Sequence, residues 1–127
     1  MLKDDITKIA RARLKDAEVL FKEGRCDGAV YICGYAVELG LKRQICKRLN
    51  WSKYPPNSED YKSFKTHNLD ILLTLTGKED KIKDQYFAEW SIVAQWDPES
   101  RYNPIGEITE HDTQLMIDAT KILLRQL

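Results

Sequence analysis

The stretch from Asp27 to Leu49 constrains the fold more than any other part of the chain. Its apolar residues (Ala29, Val30, Ile32, Cys33, Ala36, Val37, Leu39, Leu41 and Ile45) recur at helical spacing, yet they cover more than one face. A helix wetted only along a narrow side must be enclosed by neighbours, so this one is predicted to run through the centre of a bundle, with Asp27 as its N-cap. Two features interrupt it. Gly34 and Gly40 each weaken a helix interior by about 1 kcal/mol relative to alanine, which predicts that something approaches closely there. Glu38 places a carboxylate mid-helix, on one face with Tyr31, Tyr35 and Lys42 at offsets of four, three and four.

The flanking sequence is also helical. Ile6, Ile9, Ala10, Leu14, Ala17, Leu20 and Phe21 form a stripe, with Asp4 or Asp5 available as a cap and Gly24 as a stop. A tight turn to the central segment predicts an antiparallel hairpin. NWSKYPPNSEDYKSFK reads as a loop, because adjacent prolines forbid a continuous helix. Thr66 is expected to cap a short helix, HNLDILLTLT, closed by Gly77. A fourth helix is expected from Glu79 to about Gln95, carrying Ile82, Tyr86, Phe87, Trp90, Val93 and Ala94. DPESRYNPIG breaks it. Thr109 with Asp112 resembles a capping box before a last stripe of Leu115, Met116, Ala119, Ile122 and Leu123. The predicted fold class is all-α: one domain, 1–127, an up-and-down bundle of four to five helices.

With 20 basic and 20 acidic residues, no global field draws the chain toward polyanions. The balance hides a basic run (Lys42, Arg43, Lys47, Arg48, Lys53) and an acidic segment from Asp97 to Asp112 whose single base is Arg101. The basic run, interleaved with Trp51 and Tyr54, could stack on and neutralise a nucleic-acid strand, or could be a solvated helix face. Cys26 and Cys33 lie two helical turns apart, about 10 Å, too far for a disulfide. Without a CxxC or a matching histidine pair, no metal site is expected, and the cysteines read as small buried hydrophobes. No apolar run approaches the ~18 residues of a membrane span, so the reading is a soluble, cytoplasmic protein without a cofactor.

For Glu38 two partners are open: Lys42 in the next turn, or Arg101 in the RYNP segment, which would tie that loop to the central helix. The tie reads first as structural, holding the loop that carries Arg101 against the central helix, with a place in a site as the alternative. His67 reads as a hydrogen-bonding residue at a helix start, and His111 as a solvent-facing residue in the first turn after Thr109. The sequence contains no nucleophile elbow, phosphate-cradling glycine loop or HExxH motif.

Taken in order, ARARLKDAEVLFKEGRCDGAVYICGYAVELGLKRQI, KTHNLDILLTL and RYNP before a final helix resemble the HEPN family of small helical domains. The resemblance implies a bundle that commonly dimerises, with a cleft at the dimer interface. It also implies kinship with two-gene toxin–antitoxin modules, in which the HEPN protein is paired with a minimal nucleotidyltransferase. Many such relatives are metal-independent ribonucleases whose site is an arginine, a polar residue and, four to six residues beyond the arginine, a histidine. Arg101 matches the arginine. The next histidine, His111, follows after nine intervening residues, and Tyr102 stands where Asn or Asp is usual, so the chain resembles an RY-type branch with altered spacing.

Three functional readings result. The leading one is a homodimeric module without efficient catalysis that binds a nucleotide, RNA or a partner protein through Tyr31, Tyr35, Glu38, Lys42, His67, Arg101 and Tyr102. The second is a ribonuclease using Arg101 with His111 or His67. The third is a helical scaffold with no ligand.

Overall fold

A computed structural model of the chain describes residues 1–56 and 59–127, and among these it is helical, with a lone bridge between Leu2 and Lys53 outside the helices. Helix α1 spans Lys3–Lys22 and α2 spans Cys26–Leu49. The turn between them is made at Gly24, whose φ of 75° is the left-handed conformation that favours glycine. The pair forms the most extensive helix–helix interface of the molecule. Ile6, Ala10 and Ala17 supply the buried seam of α1, and Ile9, Leu14 and Phe21 pack partly against it.

Helix α2 is the central element predicted, packed against α1, α3 (Leu69–Thr76) and α6 (Glu110–Gln126). Ala36, Val37, Leu41 and Ile45 are fully buried. Both glycines sit at close approaches. A Cβ at Gly40 would lie 2.7 Å from a methyl of Leu124 on α6, and one at Gly34 would overlap the Trp96 indole.

Several boundaries differ from the sequence reading. Leu2 caps α1, leaving Asp4 and Asp5 in the first turn, where carboxylates favour the helix dipole. Arg25 caps α2, so Asp27 lies inside the helix, and its Oδ2 accepts the Gly106 amide of the distant loop at 2.9 Å. Asn68, not Thr66, caps α3: its Oδ1 accepts from the Ile71 amide, and Thr66 Oγ1 accepts from the Asn68 amide one step earlier. The loop reading of residues 50–65 needs a 3-10 helix, Glu59–Phe64, while Asn57 and Ser58 lie outside the described residues.

The expected fourth helix is two, α4 (Glu79–Gln85) and α5 (Phe87–Val93). Tyr86 leaves helical geometry with φ of −129°, which lets the pieces turn separately and bury Ile82 and Trp90, while Phe87 is left exposed. With that break the described residues form six α-helices, against the four to five expected. After α5 a 3-10 turn, Pro98–Tyr102, is capped by Asp97, whose Oδ1 accepts the Glu99 amide. Thr109 caps α6 as predicted, accepting from the Asp112 amide at 3.0 Å. The buried face of α6 includes Met116, Ala119 and Leu123 of the expected stripe, with Ile122 half-buried, and is widened by Thr113, Ile117 and Thr120; Leu115 is exposed. Thr113 and Thr120 tolerate full burial because each hydroxyl donates to the carbonyl four residues back.

No helix among the described residues is long and apolar enough to cross a membrane. Cys33 and Cys46 are buried and free, and Cys26 is half-buried and free. Burial pushes the Cys33 thiol up to about 11 and raises that of Cys46.

Candidate functional site

Glu38 is 3% exposed, and both of its oxygens have partners. Oε2 accepts from Lys42 Nζ at 3.0 Å, one turn along α2. Oε1 lies 2.8 Å from Nδ1 of His67, in the segment leading into α3. Of the two partners left open by the sequence, Lys42 is the one adopted, and the expected tie to the Arg101 loop is replaced by a tie to His67. The reason is geometric: Arg101 sits past Tyr31, two turns toward the N-terminus of α2 from Glu38. Lys42 is itself buried, with its ammonium 5.4 Å from the centre of the Tyr54 ring, so it neutralises the carboxylate from below and does not reach the surface.

His67 is the opposite case. Its side chain is 60% exposed although one ring nitrogen is fixed on a buried carboxylate. A carboxylate on Nδ1 selects the tautomer that leaves Nε2 outward as an acceptor.

Beside this pair the aromatic residues of α2 turn their polar tips outward. The Tyr31 and Tyr35 hydroxyls are hydrogen-bonded at 3.2 Å, and the Tyr35 ring meets Trp96 and His67 edge-on, with centroids 5.0 and 6.4 Å away. Trp96 lies flat on Gly34 and donates its indole N–H to the Tyr31 carbonyl at 3.1 Å. Gly34 is therefore small because a tryptophan covers it. Arg101, exposed in the 3-10 turn, faces the Tyr31 hydroxyl and stacks 4.8 Å from the centre of the Tyr102 ring. These contacts raise the pKa of Arg101, with Tyr31 the largest contributor. The phenols are pushed apart: the bond from Tyr35, then that from Arg101, lowers Tyr31, while the bond to Tyr31 pushes Tyr35 up to about 12.

Two depressions flank this group and share Gln95 and Trp96 as their common ridge. The larger, about 660 Å³, has an apolar wall that includes Val30, Ile92, Ile108 and Met116, with Tyr31 and Arg101 at its edge and Asp27, Glu107 and Asp112 around it. The smaller, about 420 Å³, is lined by His67 with Asp70, Asp97 and Glu99. Among the described residues no group of three or more His, Cys, Asp or Glu side chains is arranged to hold a metal ion.

Of the residues singled out from sequence, Tyr31, Tyr35, Glu38, His67, Arg101 and Tyr102 therefore form one continuous patch, with Lys42 beneath it. His111 does not join them. It is exposed in the first turn of α6 and does not line the depression that Arg101 borders, although its neighbour Asp112 does. Trp96 and Gln95 were missed. The tryptophan had a signal in Gly34, a glycine in a buried helix that needed a bulky partner.

Three residues of the basic run, Lys42, Arg43 and Arg48, are engaged by the fold, while Lys47 is exposed. Arg43 Nη1 donates to the Leu127 carbonyl at 2.7 Å and Arg48 Nη1 to that of Leu75 at 2.8 Å, so both satisfy carbonyls at helix ends. Trp51 and Tyr54 pack against each other, and Trp51 packs against Tyr61 and Phe64; Tyr54 is buried, its hydroxyl donating to the Phe64 carbonyl. Tyr54, so buried, offers no ring face for a base.

An all-helical bundle built on one enclosed helix, with an arginine-bearing turn beside a tyrosine pair on that helix, defines the class of protein. The family model described as HEPN domain matches residues 4–126, and the chain belongs to the HEPN family. No curated protein and no solved structure matched it.

Proposed function

We propose that the protein is a cytoplasmic, single-domain HEPN module that binds nucleotide or RNA at the depression bordered by Tyr31 and Arg101. It would act as a homodimer in a two-gene, toxin–antitoxin type system with a minimal nucleotidyltransferase. One observation carries the reading: the Arg101 guanidinium is exposed and held between a hydroxyl and a ring at the edge of an apolar depression. A planar guanidinium oriented in this way suits a phosphate oxygen. The apolar wall suits a base, and the surrounding carboxylates can accept from amino groups and ribose hydroxyls. Most cations elsewhere on α2 are directed at carbonyls or at Glu38, which leaves Arg101 as the anchor for phosphate.

The test is fluorescence anisotropy of a labelled single-stranded RNA, with adenine nucleotides as competitors. Saturable binding weakened at least tenfold by Arg101→Ala is the expected result. A flat anisotropy curve would remove the nucleic-acid reading and leave a protein partner as the occupant. Sedimentation of the free protein checks the dimer.

A further inference from the structure

We infer that the larger depression, along its α6 side, is the docking site for a cationic amphipathic segment of a partner protein, a stretch whose aliphatic anchors are flanked by lysine or arginine. The inference rests on the reading above in one respect. A segment seated there covers the apolar wall assigned to a base, so it excludes nucleotide or RNA from the site.

The apolar surface is the first observation. At this end of the bundle α2, α5 and α6 contribute Val30, Ile92 and Met116 to the wall of the depression. On its rim α6 adds Leu115, 39% exposed, and the loop before α6 adds Ile105, 94% exposed. The volume of about 660 Å³ is in the range of pockets that enclose a ligand. Single exposed aliphatics are ordinary, but two that continue an apolar hollow form the kind of patch that marks an interaction site.

The second observation is that the rim is fixed. Ile105 stands between Pro104 and Gly106, and Gly106 takes a φ of 92° and donates its amide to Asp27 Oδ2 at 2.9 Å, 79 residues away on α2. The tie orders the backbone of a turn whose aliphatic tip lies in solvent. A rim ordered before its partner arrives loses less freedom on binding.

Charge selects the occupant. Asp27, Glu107 and Asp112 line the depression together with one guanidinium, Arg101, and no lysine. Glu107 and Asp112 are exposed and have no ion-pair partner among the described residues. Glu110 is exposed in the same first turn of α6 as Asp112. A polyanion laid along this side meets unpaired carboxylates and is confined to the Arg101 edge, whereas a cation gains from them. A segment that sets aliphatic side chains in the hollow and ammonium or guanidinium groups on its rim satisfies both surfaces, in the way an amphipathic helix fills a groove.

The test is anisotropy of a labelled synthetic peptide, with leucines at helical spacing and lysines between them, titrated with the full chain. One control peptide carries glutamate for each lysine, and another carries serine for each leucine. Saturable binding of the leucine–lysine peptide alone is expected, and it should weaken as salt is added. Ile105→Glu, and Glu107→Lys combined with Asp112→Lys, should each weaken it about tenfold or more. These side chains are exposed, so the melting temperature of each variant should stay near that of wild type. Bound peptide should also raise the apparent Kd for single-stranded RNA. No binding of the leucine–lysine peptide, equal binding of the serine–lysine one, or unchanged affinity in either variant overturns the inference, as does RNA bound together with the peptide. RNA bound by a protein that ignores the peptide overturns it and leaves the RNA reading standing. Peptide bound by a protein that ignores RNA supports it and removes that reading. If the peptide fails and Ile105→Glu instead dissociates the protein in sedimentation, a second copy of the chain covers the patch and the inference falls.

Discussion

Among the described residues two clusters combine cations with aromatic rings, and they differ in what their donors meet. Around Trp51 the donors are turned to the fold: Arg43 and Arg48 reach carbonyls, Tyr54 is buried with its hydroxyl on the Phe64 carbonyl, and the rings meet one another tilted or edge-on. Around Trp96 the same residue types end in exposed groups, namely the Tyr31 hydroxyl, the His67 imidazole and the Arg101 guanidinium. By composition the first cluster resembles a nucleic-acid site more strongly than the second. What separates them is the partner of each donor. A guanidinium on a helix-end carbonyl stabilises the fold, whereas one on a phenol at the edge of a depression still has donors for a ligand.

Glu38 and Lys42 stand on the border of the two clusters, because Lys42 touches Tyr54 on the sealed side and Glu38 holds His67 on the open side. Breaking this pair is the sharpest way to test the division. Glu38→Ala leaves a buried ammonium without its counter-ion, an effect of about 3 kcal/mol or more in urea unfolding. Replacing both, Glu38→Leu with Lys42→Met, should recover much of that loss, since an apolar pair of similar volume is often no worse than a buried ion pair. An unchanged unfolding midpoint in Glu38→Ala would mean that the border is held by packing alone.

Alkaline pH separates the regions next. In the sealed interior, burial raises Cys33 from 9.0 to about 11, and Tyr54 is raised above its ordinary range for the same reason. The folded protein therefore holds more protons than the unfolded chain once the pH passes about 9, and stability falls as the pH rises from there to about 11. For Cys33 the loss is on the order of 2–3 kcal/mol at the top of that window. On the open side the two phenols oppose each other: Tyr31 is lowered and contributes with the opposite sign, while Tyr35, pushed up to about 12, contributes with the same sign as Cys33. Thermal melts at stepped pH should show the decline, and Cys33→Ala should flatten it relative to its own stability at neutral pH. An equally steep decline in Cys33→Ala would move the cause elsewhere.

The way these residues divide also explains what could be read before the structure. Local periodicity identified α1, the enclosed α2 and the final helix, because the pattern of a helix repeats within a few residues. It missed the break at Tyr86, where no proline or glycine marks the change and the cause is the separate burial of Ile82 and Trp90. It drew the buried face of α6 too narrow, because Thr113 and Thr120 read as polar until their hydroxyls are seen to bond within the helix. The site was legible as residue types but not as pairs. Glu38 was recognised as needing a partner, Lys42 was available one turn away, and His67 came from 29 residues along the chain. A contact made through a loop leaves no spacing to read.

The smallest effects on stability are the most informative about the two clusters, because they separate arginines of similar surroundings by what each donor meets. Arg43→Ala removes a charge-assisted bond to the Leu127 carbonyl that closes the end of α6 against α2, and a loss of about 1 kcal/mol in urea unfolding is expected. Its affinity for RNA should stay within twofold of wild type. Arg101→Ala should behave in the reverse way. Its guanidinium rests on the Tyr31 hydroxyl and the Tyr102 ring at the surface, so the unfolding midpoint should remain where it is while anisotropy reports the loss of RNA. The comparison fails if the signs are exchanged: an Arg43 variant that loses RNA at unchanged stability would make the sealed cluster the nucleic-acid surface. An Arg101 variant that unfolds early and binds normally would reduce the turn from Pro98 to Tyr102 to a clasp on α2.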